Sequence, residues 1–287
     1  MILFGIILNN IFTYFSQYEF QKSGKMKMIH TYNLLYIIVV AVIVLNLQGC
    51  KHDLQSDIST QGNLIFHLHT MVDTNAVFKY DSVYIMSGHR KISLSLAQMY
   101  ISDIQLVKKD GSVYNMSGTI LLKTLENEVY QVGNAPNGDY KAIRFSVGLD
   151  PFENLKTSFV KSDSLYNKPL MWFGETAQTQ GYVFLNIIGK IDTTTNGVGT
   201  LAGMKPFSYK IGSNANYKQV VMNSVSFTIQ PGQSQYVHFM IDYNMLFMGI
   251  QLNNPNNLTI NSIADNTTTL AKNICNNIPF MFMLDSN

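Results

Sequence analysis

The sequence predicts an all-β protein, an antiparallel β-sandwich followed by an Asn/Thr-rich C-terminal segment, and three observations carry that expectation. The first is period-2 alternation from Lys91 onward. Ile92, Leu94, Leu96, Tyr100, Ile104 and Leu106 occupy even positions, while Ser93, Ser95, Asp103 and Gln105 occupy odd ones. Such a pattern buries one face of a strand and wets the other. The second is Asp110-Gly111, a hairpin signal, because a type I′ turn needs positive φ at both central residues. The third is a series of short apolar runs at close spacing with no long helical pattern between them.

In chain order, Leu34–Leu47 is an apolar run preceded by Lys25, Lys27 and His30 and followed by Gln48-Gly49-Cys50. A short basic flank, an apolar stretch below the ~20 residues of a spanning helix and a small residue before the cut predict a signal peptide over 25–49. Leu47-Gln-Gly-Cys50 resembles a bacterial lipobox, which makes Cys50 the expected lipidation site. Residues 1–24 precede further methionines at 26 and 28 and read as an over-extended start or an N-terminal extension. Residues 1–49 hold Lys22, Lys25, Lys27 and Glu19, so removing them from 20 basic and 18 acidic residues leaves 17 of each. A chain so balanced has no basic field for nucleic acid. With Cys50 acylated, Cys275 has no partner in the chain, and the fold owes nothing to an internal disulfide.

Residues 50–62 read as a polar tether, 63–250 as the sandwich domain and 251–287 as a C-terminal segment packing on it. Asn63–Val72 predicts the first strand, with Leu64, Phe66, Leu68 and Val72 on one face and His67, His69 and Met71 on the other. Thr119–Lys123, Tyr140–Leu149, Gly181–Gly189, Val225–Ile229 and Tyr236–Asp242 predict further strands; Ile143, Phe145, Val147 and Leu149 should share a face. Asn134–Gly138 reads as a turn, Asp192–Gly203 as a loop and Ser262–Ile274 as a helix.

His67, His69 and Met71 are the candidate metal ligands. Alternate strand residues point the same way, about 6.6–6.8 Å apart, so two imidazoles can lean onto one ion. A thioether at the next same-face position favours a soft ion such as Cu(I). The same residues are equally a polar, half-exposed strand face. His238 lies opposite its strand's apolar set and joins the ligands if the two strands are neighbours. Asp150, Glu153 and Asn154 offer oxygens to a hard cation or simply form a strand-end turn. No zinc-protease, nucleophile-elbow, phosphate-loop or dinucleotide motif is present, so a binding protein is expected rather than an enzyme.

Several segments, in order, resemble the MbnP-like domain family of envelope proteins. Phe66-His-Leu-His-Thr-Met-Val72 resembles its opening strand, Met99–Leu106 with Asp110-Gly111 its hairpin, and Gly138–Asp150 with Asn154 its central signature. Leu170-Met-Trp172 with Gly181-Tyr-Val-Phe184 resembles its aromatic segment; Phe207–Gly212 and Ile241–Phe247 resemble its later strands. The resemblance implies a β-sandwich and copper held by histidines, with His69, His67 beside it, and Trp172 as the positions carried over. It also implies that the tryptophan is oxidised to kynurenine by a di-haem cytochrome c peroxidase-like partner. Two departures stand out: Lys210 occupies the place of a late-strand histidine, and Gly174-Glu-Thr-Ala-Gln lacks a second tryptophan. The expectation is a lipid-anchored copper protein of the cell envelope, in the outer membrane and facing periplasm or surface, with a TonB-dependent transporter as a further possible partner. The alternative is a metal-free module binding a partner protein or glycan.

Overall fold

A computed structural model describes residues 60–154, 165, 168–174 and 181–285. These belong to one unit, Ile58–Asn287. Cys50 and the 1–24, 25–49 and 50–59 segments lie outside the described residues. The strands are β1 (Gln61–Val72), β2 (Asn75–Ala76), β3 (Val83–Ile85), β4 (Lys91–Lys108), β5 (Val113–Asn115), β6 (Leu121–Lys123), β7 (Val129–Pro136), β8 (Gly138–Val147), β9 (Val183–Ile191), β10 (Lys205–Gly212), β11 (Lys218–Met222), β12 (Phe227–Ile229), β13 (Ser234–Asp242), β14 (Thr259–Ile260) and β15 (Phe282–Leu284). Among the described residues two α-helices accompany them, α1 (Pro151–Asn154) and α2 (Thr269–Asn277).

The chain is all-β, as expected, and its strands form two sheets. The smaller has five strands: β15, β13 and β1 in order, with β2 and β7 also pairing with β1. The larger has ten, running β11-β8-β4-β9-β10-β14, with β12 on β8 and β3, β5 and β6 on β4. Most pairings are antiparallel, but β1/β13 and β10/β14 are parallel. Phe145 of β8 stacks edge-on against Phe239 of β13 and Phe282 of β15, so the two sheets face each other across one core. Residues beyond 250 extend both sheets, through β14 and β15.

β1 follows its predicted alternation. Leu64, Phe66, Leu68 and Val72 enter the core, and His67, His69 and Met71 stay partly exposed on the outer face. In β4 the even-position face breaks twice. A register shift between Leu94 and Leu96 turns Ala97, Met99 and Ile101 inward and sends Tyr100 to a second cluster outside the sandwich. A second shift between Ser102 and Gln105, where Asp103 has φ 50°, returns Ile104 and Leu106 to the core. Bulges of this kind insert a residue and exchange the faces. The face predicted for Tyr140–Leu149 ends the same way. Gly148 has φ 121°, and beyond it Leu149 packs with Tyr100 rather than with Phe145.

The Asp110-Gly111 hairpin forms between β4 and β5, but not as a type I′ turn. Gly111 alone has positive φ. Its N–H donates to Lys108 O at 2.9 Å, and Lys108 N–H donates to Ser112 O at 2.9 Å, the pattern of a type I turn closed by a left-handed glycine. Asp110 Oδ1 stabilises it by accepting from Ser112 N–H at 2.8 Å and Ser112 Oγ at 2.7 Å. Asn134–Gly138 also differs from expectation: Asn134, Ala135 and Pro136 extend β7 along the edge of β1.

The Asn/Thr-rich tail spends its polar side chains on backbone. Asn266 Oδ1 accepts from Gly212 N–H at 2.8 Å, and Asn266 Nδ2 donates to Lys210 O and Ser262 O at 2.9 Å each. Asn277 Nδ2 donates to Leu246 O at 3.0 Å and Met248 O at 2.8 Å. Thr268 caps α2 by accepting from Ala271 N–H. Buried carbonyls and amides need such partners where no strand supplies them. The helix spans Thr269–Asn277, later than the 262–274 expected.

Candidate metal centre

The parallel pairing of β1 and β13 sets the site. Its register places His67 opposite His238, Leu68 opposite Phe239 and His69 opposite Met240. Because Leu68 and Phe239 point into the core, their neighbours point outward on one face. His67 and His238 thus meet across the strands, and His69 joins from one step along β1.

The imidazole–imidazole distances are short. His67 Nδ1 and His238 Nδ1 are 3.2 Å apart, with one donating to the other. The ring centroids of His67 and His69 are 4.1 Å apart, and one ligand nitrogen from each of the three rings falls within a 4.8 Å set. Two nitrogens bound tetrahedrally to one ion at about 2.0–2.1 Å stand about 3.3 Å apart. The His67–His238 pair already has that separation, and His69, within 4.8 Å, would have to draw closer to share the ion. Imidazole donors suit copper, zinc and nickel and do not suit magnesium or calcium.

Two carboxylates orient the rings. Glu128 Oε2 lies 3.4 Å from His67 Nε2 and 3.5 Å from His69 Nδ1. Asp285 Oδ2 lies 3.6 Å from His69 Nε2. The main chain of each acid is tied to the histidine strands. Leu68 N–H donates to Glu128 O at 2.8 Å, and Asp285 N–H donates to His238 O at 3.2 Å. A carboxylate behind a ligating histidine sets its tautomer and raises its basicity. Neither acid is visible as a site residue in the sequence. Glu128 precedes a strand hidden behind the Asn134–Gly138 turn signal, and Asp285 reaches the site only through β15.

Met71 shares the outer face of β1, one step beyond His69 and opposite Asp242. Asp242 is buried and committed elsewhere: its Oδ1 accepts from Asp73 N–H and Asn244 N–H at 2.8 Å each, while burial pushes its carboxyl up. Asp150 is likewise occupied, since its Oδ1 accepts from Phe152 N–H at 2.7 Å and Glu153 N–H at 3.0 Å.

A family model described as MbnP matches residues 61–265. The chain belongs to the MbnP family. A solved structure titled MbnP from Methylosinus trichosporium is similar at 16% identity, covering 66% of this chain and 78% of that chain, with a TM-score of 0.47. No curated protein matches. Within the MbnP domain, the two groups of residues singled out in the sequence part company. Trp172 is 8% exposed and packs with Tyr100, Leu149, Met171, Tyr182 and Phe184. Tyr100 and Phe184 lie on the side of the larger sheet turned away from the core, because their neighbours Met99, Ile101 and Leu185 line the core. Lys210 shares that side, lying between Tyr209 and Ile211 and opposite Asn186 of β9. The histidines occupy the opposite outer face, on the smaller sheet. The structure brings His67, His69 and His238 together, keeps Met71 on their face and places Trp172 apart from them.

Behind Glu128, Lys123 is buried and donates to Thr124 O and to Asn127 O. Burial pulls its ammonium down to about 8 from 10.5, opposed in part by Glu128 and Glu126. Below pH 8 both folded and unfolded chains hold the proton, and the folded chain bears the full cost of burying it. As pH rises, the folded chain loses that proton first, so stability rises until the unfolded lysine also deprotonates. The difference in unfolding free energy between wild type and Lys123→Met should therefore climb by about 2 kcal/mol between pH 8 and pH 10. Urea titrations of both chains across that range check it. The comparison is needed because buried tyrosines pull the other way: Tyr80, Tyr130, Tyr140, Tyr209, Tyr217 and Tyr243 are all raised above 10.0 and begin to lose their contribution as the unfolded tyrosines titrate near pH 10, in both chains alike.

Proposed function

We propose that this MbnP-family chain is a lipid-anchored cell-envelope protein that binds copper for uptake, storage or delivery, and is not an enzyme. The observation that carries the reading is the convergence of His67, His69 and His238, with ligand nitrogens within 4.8 Å of one another. Family membership supports copper among the metals that imidazoles suit. The three histidines would hold the ion: Glu128 would keep His67 Nε2 protonated and leave Nδ1 for the metal, His69, with a carboxylate at each ring nitrogen, would release one of them to the ion, and Met71 would lend a thioether for the reduced ion. Bound there, copper gains a partly exposed position from which a partner can take it. Attachment through Cys50 would keep that exchange at a membrane.

The experiment is to purify the full chain after expression with copper, dialyse it and count metal per chain. At least one retained copper is expected, together with an intact mass showing acylated Cys50. A chain that retains no copper and cannot compete for it against a chelator contradicts the reading.

A further inference from the structure

The outer face of the smaller sheet carries more than the three imidazoles. Met240 lies on β13, directly opposite His69 of β1 and two residues from His238 on the same strand. On its other side Met240 pairs with Met283 of β15. Both methionines are partly exposed, while their neighbours Phe239, Ile241 and Phe282 enter the core. Alternation and register therefore place both thioethers on the histidine face. Neighbouring strands are about 4.8 Å apart, so His69, Met240 and Met283 form one transverse row. Asp285, just past the end of β15, lies 3.6 Å from His69 Nε2, so the segment around β15 approaches this imidazole.

Methionine at a half-exposed strand position is poorly explained by packing, since the same strands bury phenylalanine and isoleucine on the core side. A thioether is a soft, uncharged ligand that suits Cu(I), whereas zinc sites are built from thiolate, imidazole and carboxylate. We infer that Met240 and Met283 form a thioether Cu(I) subsite adjoining the three-imidazole centre, next to His69, whose ring nitrogens serve that centre and its carboxylates. The inference rests on the metal-binding reading above. It gives the face two positions of different character, one nitrogen-rich and indifferent to oxidation state, the other sulfur-rich and selective for the reduced ion.

The test uses the detergent-solubilised full chain with methyl-labelled methionine, titrated anaerobically with Cu(I) and separately with Zn(II). Wild type should take two Cu(I) but one Zn(II), and the Met240 and Met283 methyl resonances, assigned from the single leucine variants, should move with Cu(I) alone. Met240→Leu/Met283→Leu should lose the second Cu(I) and keep the Zn(II), with an unchanged thermal midpoint, because leucine replaces methionine at nearly constant volume. Methyl signals that stay still in Cu(I), or a leucine double variant that keeps both Cu(I), overturn the subsite while leaving the imidazole centre standing. A wild type that binds neither metal overturns the metal-binding reading, and the subsite with it.

Discussion

Replacing His67 and His238 by alanine together should weaken copper binding by at least about 100-fold, as read by competition against a chelator of known affinity. Loss of a group that merely orients a ligand costs on the order of 10–100-fold, and this variant removes two ligands. It also removes the 3.2 Å imidazole pair, the closest contact in the site. The fold should survive, because both side chains lie on the outer face and neither belongs to the core. Glu128→Gln supplies the graded control: it leaves all three imidazoles, keeps the shape of the side chain and removes the charge that both His67 and His69 approach. Its affinity should fall between those of wild type and the double variant. Equal affinity in all three would mean that copper, if bound, sits elsewhere.

The second large effect is on stability. Phe239→Ala should lower the unfolding free energy by about 3–5 kcal/mol, measured as a shift in urea midpoint. Phe239 is fully buried at the centre of β13 and meets Phe66 edge-on at 5.2 Å and Phe145 at 6.2 Å. Its removal opens a cavity between the sheets, which only partial relaxation fills. The same residue separates His238 from Met240 along β13, so the packing that stabilises the sandwich also turns both outward. Phe239→Leu should cost less and should leave copper affinity intact, separating core volume from strand orientation.

The all-β class and the outward-facing histidines of β1 were legible because Leu64, Phe66, Leu68 and Val72 share one parity and His67 and His69 the other. β4 was less so. Its parity reverses near Leu94–Leu96 and again at Asp103, and local composition does not announce either shift. Pairing between β1 and β13 was beyond the sequence as well. The two strands are separated by most of the domain, and their parallel register depends on everything folded between them. His67 and His69 were therefore readable from spacing, His238 only conditionally, and Glu128 and Asp285 not at all, since both arrive through neighbouring strands. Trp172 was reached by resemblance, and resemblance in order along a chain carries no information about which outer face a residue occupies.

The central claim is that the metal sits among His67, His69 and His238, and anomalous diffraction from copper-loaded crystals at the copper edge tests it most directly. The account predicts an anomalous peak within bonding distance of nitrogens from these three rings, on the outer face of the five-stranded sheet. A peak beside Trp172 and Lys210 on the other outer face, with none at the three histidines, would contradict it.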